Sequence, residues 1–310
     1  MAVSADFDTR KQELPVYHPF RSEKARERYL SLYDRRASLW PIPYESKMAD
    51  TSYGRTFVRV SGPDGALPLV LLPGATSSSL MWAPNIKVLS ENFKTYAVDN
   101  IYDFGRSVYT RAIRDEEDFA YWLNEFFDAL GLGANINLVG MSYGGWIASQ
   151  YALRFSNRLH KIVLLAPART VLHFRPSFVL RVPLALLPWR FTVRRFVYWI
   201  FEEFARRRGE ADVILENVVD DMLAGFQCFK PKRFVQPTVL KKKELRNLKV
   251  PMLYMIGEYD KLYSARKAVR RLNKISARIK TEIIPDADHA LTIACAEIVN
   301  QKILDFLRSS

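Results

Sequence analysis

The chain alternates apolar segments of strand length with segments of helical periodicity, and this alternation limits its possible folds more than any other feature. The segments NINLVGMS (135–142) and KIVLLAPA (161–168) are rich in apolar residues, as expected for strands buried on both faces of a parallel sheet. Residues 115–130 instead carry large apolar side chains at intervals of three and four, which indicates a helix with one face packed on a sheet. The pattern predicts an α/β fold: a mostly parallel sheet with helices on both faces.

The regular alternation is interrupted over residues 169–247. Before this interruption, the alternation starts with the strand-like segment RTFVRVSG (55–62). After it, the alternation resumes with VPMLYMIGEYD (250–260) and KTEIIPDADH (280–289), and a last helix ends near residue 308. The chain contains no internal repeat and no low-complexity tract. Its 310 residues are enough for one large domain with an insertion or for two modest domains.

The composition argues against a disulfide-stabilised or membrane-spanning protein. Cys228 and Cys295 are the only two cysteines, which gives no disulfide framework or zinc pattern and is typical of a reducing compartment. The N-terminal segment lacks the apolar core of a signal peptide, and no uncharged apolar run reaches the roughly 18 residues of a membrane span. We therefore expect a cytoplasmic protein without a transmembrane segment.

The net charge of +13 is distributed unevenly along the chain. Residues 169–247 contain 16 Lys or Arg and 8 Asp or Glu, which gives +8 and leaves +5 for the rest. A solvated basic face is the first interpretation, with an anionic substrate and an acidic membrane surface as alternatives. Because the chain has no RNA-binding, zinc-finger or helix-turn-helix signature, we expect no nucleic-acid partner.

The segment GMSYGG (140–145) places Ser142 among three glycines, between a buried strand and a stretch that can form a helix. In a strand–turn–helix of this kind the serine lies on a strained turn with its hydroxyl exposed. The glycines are needed because side chains would collide across the turn. Ser142 is therefore a candidate nucleophile.

A serine nucleophile needs a base, and His289 is the best of the four histidines because it follows the last strand and precedes the last helix. His18 lies in the N-terminal segment and His160 at a helix–strand junction, where both have structural or solvated interpretations. His173 opens the irregular segment and has either a surface role or a place facing the site.

The base in turn needs a carboxylate that orients it. Asp260 is the candidate because it lies at the carboxyl end of the penultimate strand, where the active-site loops of such sheets gather. Glu258 is expected at the strand edge, and Asp286 and Asp288 lie too close to His289 in sequence for easy side-chain pairing.

The reaction also needs donors for a developing oxyanion. The segment LLPGATSSSLMW (71–82) follows a strand, and Gly74 allows the backbone to turn so that amide hydrogens face the pocket. The backbone N–H groups of Ala75 and of Tyr143, directly after the candidate nucleophile, would form a two-donor oxyanion hole.

These motifs resemble those of the α/β-hydrolase superfamily, from about residue 54 to the C-terminus. LPG, DNIYDFGRS, GMSYGG, GEYD and DADH stand in the family's order, and Ser142, Asp260 and His289 match its nucleophile, acid and base. The N-terminal segments YLSLYDRRASLWPIPYE and YGRTFVRVSGP also resemble bacterial carboxylesterases of the naproxen-esterase type. The resemblance implies an α/β-hydrolase fold with a mostly parallel, eight-stranded type of sheet.

The chain departs from the family pattern at one motif. Pro73-Gly74 stands where the family usually has His-Gly before the oxyanion loop. That histidine mainly supports the loop, so the chemistry can survive the change, but the shape of the oxyanion hole is affected. The serine nucleophile also argues against haloalkane dehalogenases and epoxide hydrolases, in which the family pattern has an aspartate.

The resemblance implies a division of the chain into an N-terminal helical extension, a discontinuous core and a helical cap. The extension covers residues 1–50, the core 51–168 and 248–310, and the cap 169–247. The cap has either an ordinary packing face or an apolar side that lines an acyl pocket, with basic residues near a substrate carboxylate. The candidate pocket residues are Trp82, Trp146, His173 and Phe174.

The expected activity is hydrolysis of a carboxylic ester, lactone or thioester through an acyl-enzyme on Ser142. The expected partner is a small acyl substrate that is hydrophobic or anionic. No metal or organic cofactor is expected, and the chain can be a monomer or a homodimer. The same residues can also hydrolyse a carbon–carbon bond or catalyse biosynthetic acyl transfer or cyclisation. A third alternative is a ligand sensor with little turnover, because the fold and triad alone do not separate these functions.

Overall fold

The computed structural model describes residues 14–309 and contains one central sheet. Its strands follow the chain as β1 Glu45–Thr51, β2 Gly54–Ser61, β3 Pro68–Leu72, β4 Lys94–Val98, β5 Val108–Tyr109, β6 Ile136–Met141, β7 Leu159–Leu165, β8 Met252–Gly257 and β9 Ile279–Ile284. The spatial order is β1-β2-β4-β3-β6-β7-β8-β9, and the two-residue strand β5 pairs with β2.

The sheet is mostly parallel. The strands β1 and β2 pair antiparallel, as do β2 and β4, whereas every neighbouring pair from β4 across to β9 is parallel. Every residue of β6 and of β8 is buried, as expected for strands covered on both faces. The predicted α/β fold with a mostly parallel sheet is confirmed.

Helices precede, follow and connect the strands. They are α1 Glu23–Ala37, α2 Ala83–Ser90, α3 Glu116–Ala129, α4 Tyr143–Arg154, α5 Pro176–Ala185, α6 Arg190–Ile200, α7 Glu202–Ala205, α8 Glu210–Cys228, α9 Lys242–Asn247, α10 Ala265–Ile275, α11 Leu291–Ala294 and α12 Ala296–Arg308. No helix within residues 14–309 has the length and apolar character needed to cross a bilayer.

The helix α3 illustrates how local sequence sets the elements. The carboxylate of Asp115 caps its first turn by accepting the backbone N–H groups of Glu117 and Asp118, both at 3.0 Å. This side chain replaces acceptors that the first turn of a helix lacks. The predicted apolar face is buried except at Leu130, which is half-buried at the end of the helix. Its buried residues are Phe119, Trp122, Leu123, Phe126 and Phe127.

The N-terminal segment packs on the sheet and on the segment 169–247. The hydroxyl of Tyr33 in α1 donates to Asp99 at 2.7 Å, directly after β4, and accepts from the buried Arg59 of β2 at 2.7 Å. The first thirteen residues of the predicted extension lie outside the described residues. The sheet itself begins at Glu45, before the core boundary predicted at residue 51. Strand β1 is polar and largely exposed, so it carries no apolar pattern that would mark it in the sequence.

The segment 169–247 contains α5 to α9 and no strand that joins the sheet. Helices α5, α6 and α8 pack on one another, and α8 also packs on α1. The carboxyl ends of β3, β6, β8 and β9 meet at the same edge of the sheet because these strands run parallel. The segments that leave this edge carry the candidate functional residues.

Candidate active site

Ser142 occupies the turn between β6 and α4 with φ of 50° and ψ of −112°. This is the left-handed region of φ, which costs a non-glycine residue about 1 kcal/mol or more. Three backbone hydrogen bonds hold the turn: the Ser142 N–H donates to the Leu165 carbonyl at 2.8 Å, and the Ser142 carbonyl accepts from Ala168 at 2.8 Å and from Trp146 at 3.1 Å. The position of the hydroxyl is therefore fixed by the two central strands.

Two of the surrounding glycines are required by close backbone approach. A Cβ atom on Gly140 would lie 2.3 Å from the carbonyl oxygen of Gly144. A Cβ atom on Gly144 would lie 2.5 Å from the carbonyl oxygens of both Leu72 and Pro73. Because these contacts are to backbone atoms, no side-chain movement would relieve them. The tight packing of α4 against β3 and β6 therefore depends on the glycines.

His289 and Asp260 form a hydrogen-bonded chain with Ser142. His289 Nε2 lies 3.0 Å from Ser142 Oγ, and His289 Nδ1 lies 2.7 Å from Asp260 Oδ2. Asp260 follows β8 and His289 follows β9, and the two residues are 1% and 6% exposed. The second carboxylate oxygen of Asp260 accepts the Leu262 N–H at 2.7 Å. This bond fixes the carboxylate plane that faces the imidazole.

The other candidate carboxylates lie elsewhere. Glu258 pairs with Arg266 at 3.1 Å, and Asp286 is exposed. Asp288 is buried and accepts the backbone N–H groups of Glu203, Phe204 and Ala290, and burial raises its pKa. Only Asp260 among these carboxylates touches the imidazole of the histidine that approaches Ser142.

The other histidines do not approach Ser142. The ring of His18 lies 2.8 Å from the carbonyl oxygen of Tyr109, and its pKa is lowered by burial. His160 is exposed, and burial of part of its ring also lowers its pKa. His173 is exposed beside Arg169, whose guanidinium lies 3.3 Å from its ring.

The loop after β3 lies directly against the serine. An atom at the Cβ position of Gly74 would lie 3.5 Å from Ser142 Cβ. Within residues 14–309, neither the Ala75 amide nor the Tyr143 amide donates a hydrogen bond to a protein acceptor. The Tyr143 amide is the first of α4, where helical N–H groups have no internal acceptor. Both donors are therefore available to a substrate oxygen.

Asp103 supports this loop, a role that sequence reasoning missed. Its carboxylate accepts the N–H of Thr76 at 3.0 Å and that of Phe104 at 2.9 Å. Thr76 has a φ of 58°, so its conformation needs such an external restraint. Asp103 lies inside the quoted segment DNIYDFGRS, but nothing in that segment indicates a bond to a residue 27 positions away.

A buried lysine lies near Asp103. The Lys232 ammonium is buried and lies 5.1 Å from the centre of the Tyr102 ring, with three further aromatic rings within 5.9 Å. Burial raises the pKa of Asp103 to about 6, although the positive charge of Lys232 lowers it. Burial likewise lowers the pKa of Lys232 to about 8, against the attraction of Asp103.

Residues of the segment 169–247 lie over the histidine. The ring of Phe201 is nearly parallel to that of His289, with centroids 6.4 Å apart and an interplanar angle of 13°. The N-terminal amides of α7 bind Asp288, next to His289, and Lys261 beside Asp260 pairs with Glu202 at 2.6 Å. The hydroxyl of Tyr143 donates to the Val235 carbonyl at 2.8 Å.

Two of the four predicted pocket residues have no surface that a substrate could reach. Trp82 and Trp146 are both 0% exposed and belong to the hydrophobic core. The indole N–H of Trp146 also donates a hydrogen bond to the Thr238 hydroxyl at 3.3 Å. Phe174 is half-buried and packs on Phe178 with ring centroids 4.7 Å apart. The tryptophans are therefore corrected to core residues, because packing around them leaves no open space.

Comparisons with known proteins are consistent across sequence and structure. A model of the alpha/beta hydrolase family matches residues 69–301. The carboxylesterase YbfK of Bacillus subtilis is 34% identical over 286 residues, which cover 90% of this chain and 93% of that protein. An uncharacterized carboxylesterase, nap, of the same species is 32% identical over 288 residues, covering 91% of this chain and 93% of that protein.

A solved structure extends the comparison to three dimensions. The crystal structure of naproxen esterase from Bacillus subtilis superposes with a TM-score of 0.84 at 32% identity, and the match covers 93% of this chain and 99% of that chain. The resemblance inferred from the motifs is confirmed by these matches.

Proposed function

The chain belongs to the alpha/beta hydrolase family, and we propose that it hydrolyses carboxylic esters through a covalent acyl-enzyme on Ser142. Its relatives that cover most of the chain are named carboxylesterases, which supports an ester hydrolase. The single observation that carries the mechanism is the hydrogen-bonded chain from Ser142 Oγ through His289 to Asp260, at 3.0 and 2.7 Å.

His289 acts as the general base in this proposal. With its Nδ1 proton donated to Asp260, Nε2 is free to accept the hydroxyl proton as Ser142 Oγ attacks the ester carbonyl carbon. The carbonyl π electrons move to oxygen, and the tetrahedral intermediate collapses when Nε2 returns the proton to the leaving alcohol. In the second half-reaction, a water molecule gives a proton to Nε2 and attacks the carbonyl carbon of the acyl-enzyme. Nε2 then returns the proton to Ser142 Oγ, and the acid is released. Asp260 stays ionised and stabilises the imidazolium that forms in each half-reaction.

The amides of Ala75 and Tyr143 form the oxyanion hole. Their lack of a protein acceptor and their position beside Ser142 support this role. Such preorganised donors are worth about 2.7–4 kcal/mol of transition-state stabilisation each. Asp103 holds the first of them indirectly, by fixing Thr76. The family usually has a histidine that supports the oxyanion loop, and this chain has Pro73 at that position. Here a carboxylate from the loop after β4 supports the oxyanion loop instead.

We treat residues 169–247 as a cap whose aromatic side chains line the acyl site. The Phe201 ring lies over His289 with ring centroids 6.4 Å apart. Trp199 and Phe178 of the same segment form a separate aromatic pair, also with centroids 6.4 Å apart. Phe174 packs on Phe178 at its outer end. These aromatic side chains suit an ester with an aromatic or aliphatic acyl group better than one with a charged group, because desolvating a charge beside them would be costly.

A chain-length series of p-nitrophenyl esters, assayed beside a thioester and a lactone, tests this proposal. We expect release of p-nitrophenol from the wild type, with a preference that depends on acyl length. Ser142→Ala should lower kcat by about a millionfold, as loss of the nucleophile does in a serine protease. No turnover above the Ser142→Ala background on any ester, with cleavage of a β-diketone instead, would overturn the ester specificity and favour carbon–carbon hydrolysis.

A further inference from the structure

The outer end of the cap exposes a dense apolar surface, which we call the cap tip (residues 175–195). Of the 17 exposed large hydrophobic side chains among the described residues, six lie between positions 179 and 191, and each is 52–74% exposed. They come from α5, from the first turn of α6 and from the connection between these helices. The six are Val179, Leu180, Leu184, Leu186, Trp189 and Phe191.

The cap tip does not need these side chains for its own packing. The inner face of α6 is formed by Val193 and Val197, which are buried in the cap core. On α5, Phe178 faces inward and packs near Trp199, with ring centroids 6.4 Å apart. The exposed residues lie on the opposite side, so the helical hairpin is amphipathic with its second apolar side uncovered.

Arginines are interspersed with these apolar residues in the sequence, and the segment itself contains no acid. Residues 169–201 contain six Arg and no Asp or Glu. Arg190 and Arg194 pair with acids of α8. Arg175, Arg181 and Arg195 are exposed and have no ion-pair partner among residues 14–309. Arg195 lies one helical turn after Phe191 in α6.

We propose that the cap tip docks on an anionic lipid surface. Apolar side chains on one side of a helix enter the boundary between headgroups and acyl chains, while the arginines beside them bind phosphate groups. Exposed Trp, Phe and Leu next to unpaired arginines match both parts of such a surface. Residues 169–201 contain no acid, and the neighbouring acids of α8, Glu216 and Asp220, are paired with Arg190 and Arg194, so no unpaired acid of this pair of helices repels a negatively charged membrane.

Charge decides between this occupant and a second copy of the chain. Pairing two copies through the cap tip would bring two acid-free, arginine-rich segments together, and like charges in close contact are unfavourable. An anionic lipid surface carries the charge opposite to that of the arginines, and the acyl chains below its headgroups can accept the apolar side chains. The docking does not depend on the proposed hydrolysis, so it can be measured with an inactive protein.

Sedimentation with lipid vesicles tests the proposal, using the Ser142→Ala protein to prevent hydrolysis. We expect it to bind vesicles that contain phosphatidylglycerol, to bind pure phosphatidylcholine vesicles less, and to lose affinity as salt is raised. Leu180→Asp and Phe191→Asp should each weaken binding at least about tenfold, because an apolar contact is lost and a negative charge is added. The double variant Arg175→Gln/Arg195→Gln should weaken binding and flatten the salt dependence.

Leu67→Asp is the matched control. Leu67 is 46% exposed and directly precedes β3, at the edge of the sheet opposite the serine and the cap. This variant should bind within about twofold of the parent, as expected for a surface substitution outside the docking side. Unchanged thermal unfolding of all variants excludes misfolding as the cause of weaker binding.

Three outcomes would overturn the docking proposal. The first is a parent protein that stays in the supernatant with phosphatidylglycerol vesicles at low salt. The second is an equal loss of binding in Leu67→Asp and Phe191→Asp. The third is a dimer, measured by light scattering, that Phe191→Asp converts to a monomer. Hydrolysis of a water-soluble ester by the active Phe191→Asp protein separates these failures from a failure of the proposed hydrolase function.

Discussion

The carboxylate of Asp288 accepts the backbone N–H of Glu203 at 2.8 Å, and this bond joins the histidine loop to the first turn of α7. The same carboxylate oxygen accepts the N–H of Phe204 at 3.1 Å, and the other oxygen accepts that of Ala290 at 2.8 Å. The residue beside His289 therefore fixes both the histidine loop and the segment that covers it.

Replacing Asp288 by alanine is expected to lower stability and activity together. Buried amides that lose their acceptor cost about 1–3 kcal/mol each, so the Tm should fall. The kcat/KM should fall by about tenfold or more, because a small displacement of His289 weakens its geometry with Ser142. Asp286→Asn is the control, since Asp286 is exposed and asparagine tolerates its φ of 52°. Equal Tm and kcat/KM in the two variants would contradict the positioning role.

Replacing Asp103 tests the support of the oxyanion loop. We expect Asp103→Ala to reduce kcat by about tenfold to a hundredfold, because the Thr76 amide is released and the adjacent Ala75 amide loses its alignment. Asp103→Asn should lose less, since its amide oxygen can still accept the Thr76 N–H. Affinity for a boronic acid transition-state analogue should fall in parallel with kcat/KM. A loss of stability in Asp103→Ala without loss of analogue affinity would assign Asp103 a structural role only.

The pH dependence of the protein's stability should also show the raised pKa of the buried Asp103 carboxyl. Burial raises its pKa to about 6, from an ordinary value of about 4. Between these pH values the folded protein retains a proton that the unfolded chain releases, so stability falls as the pH rises through this window. Asparagine cannot ionise, so the Tm of Asp103→Asn minus that of the wild type should be larger at pH 7 than at pH 4. A Tm difference that does not change with pH would contradict a buried, raised-pKa Asp103.

Steric constraint at the serine turn gives a prediction with an internal control. Gly144→Ala would place a Cβ atom 2.5 Å from two backbone carbonyl oxygens, so we expect a loss of about 1–3 kcal/mol in stability, or no folded protein. Gly133→Ala adds a Cβ atom that meets no atom within 4 Å beyond its own chain neighbours, and its Tm should stay equal or rise slightly. Thermal unfolding of both variants makes the comparison. Similar Tm values would mean that the turn can relax around a methyl group.

Much of the fold was predictable because buried parallel strands leave long apolar runs. The apolar segments that form β6 and β7 identify the centre of the sheet, and a parallel strand order predicts that Ser142, Asp260 and His289 lie at one edge of it. The polar edge strand β1 has no such pattern and was missed. The structure brings the three residues within hydrogen-bonding distance, while their catalytic roles stay a proposal.

Other features depend on three-dimensional contacts that leave no local pattern. The bond between Asp103 and Thr76 joins two loops that follow different strands, and neither loop sequence specifies the other. Trp82 and Trp146 follow the candidate oxyanion loop and the candidate nucleophile, and residue type alone does not distinguish a core tryptophan from a pocket tryptophan. Both side chains are 0% exposed and belong to the hydrophobic core.

Labelling of Ser142 by a fluorophosphonate is the most direct measurement of the central claim, because the reagent needs an activated serine and a formed oxyanion hole. Mass spectrometry of the wild type should show one adduct, on the peptide that contains Ser142, with parallel loss of ester hydrolysis. Ser142→Ala should show no adduct, and His289→Ala should react far more slowly. A wild type that hydrolyses esters but resists the reagent, or that carries the adduct on another serine and keeps its activity in Ser142→Ala, would contradict an acyl-enzyme on Ser142.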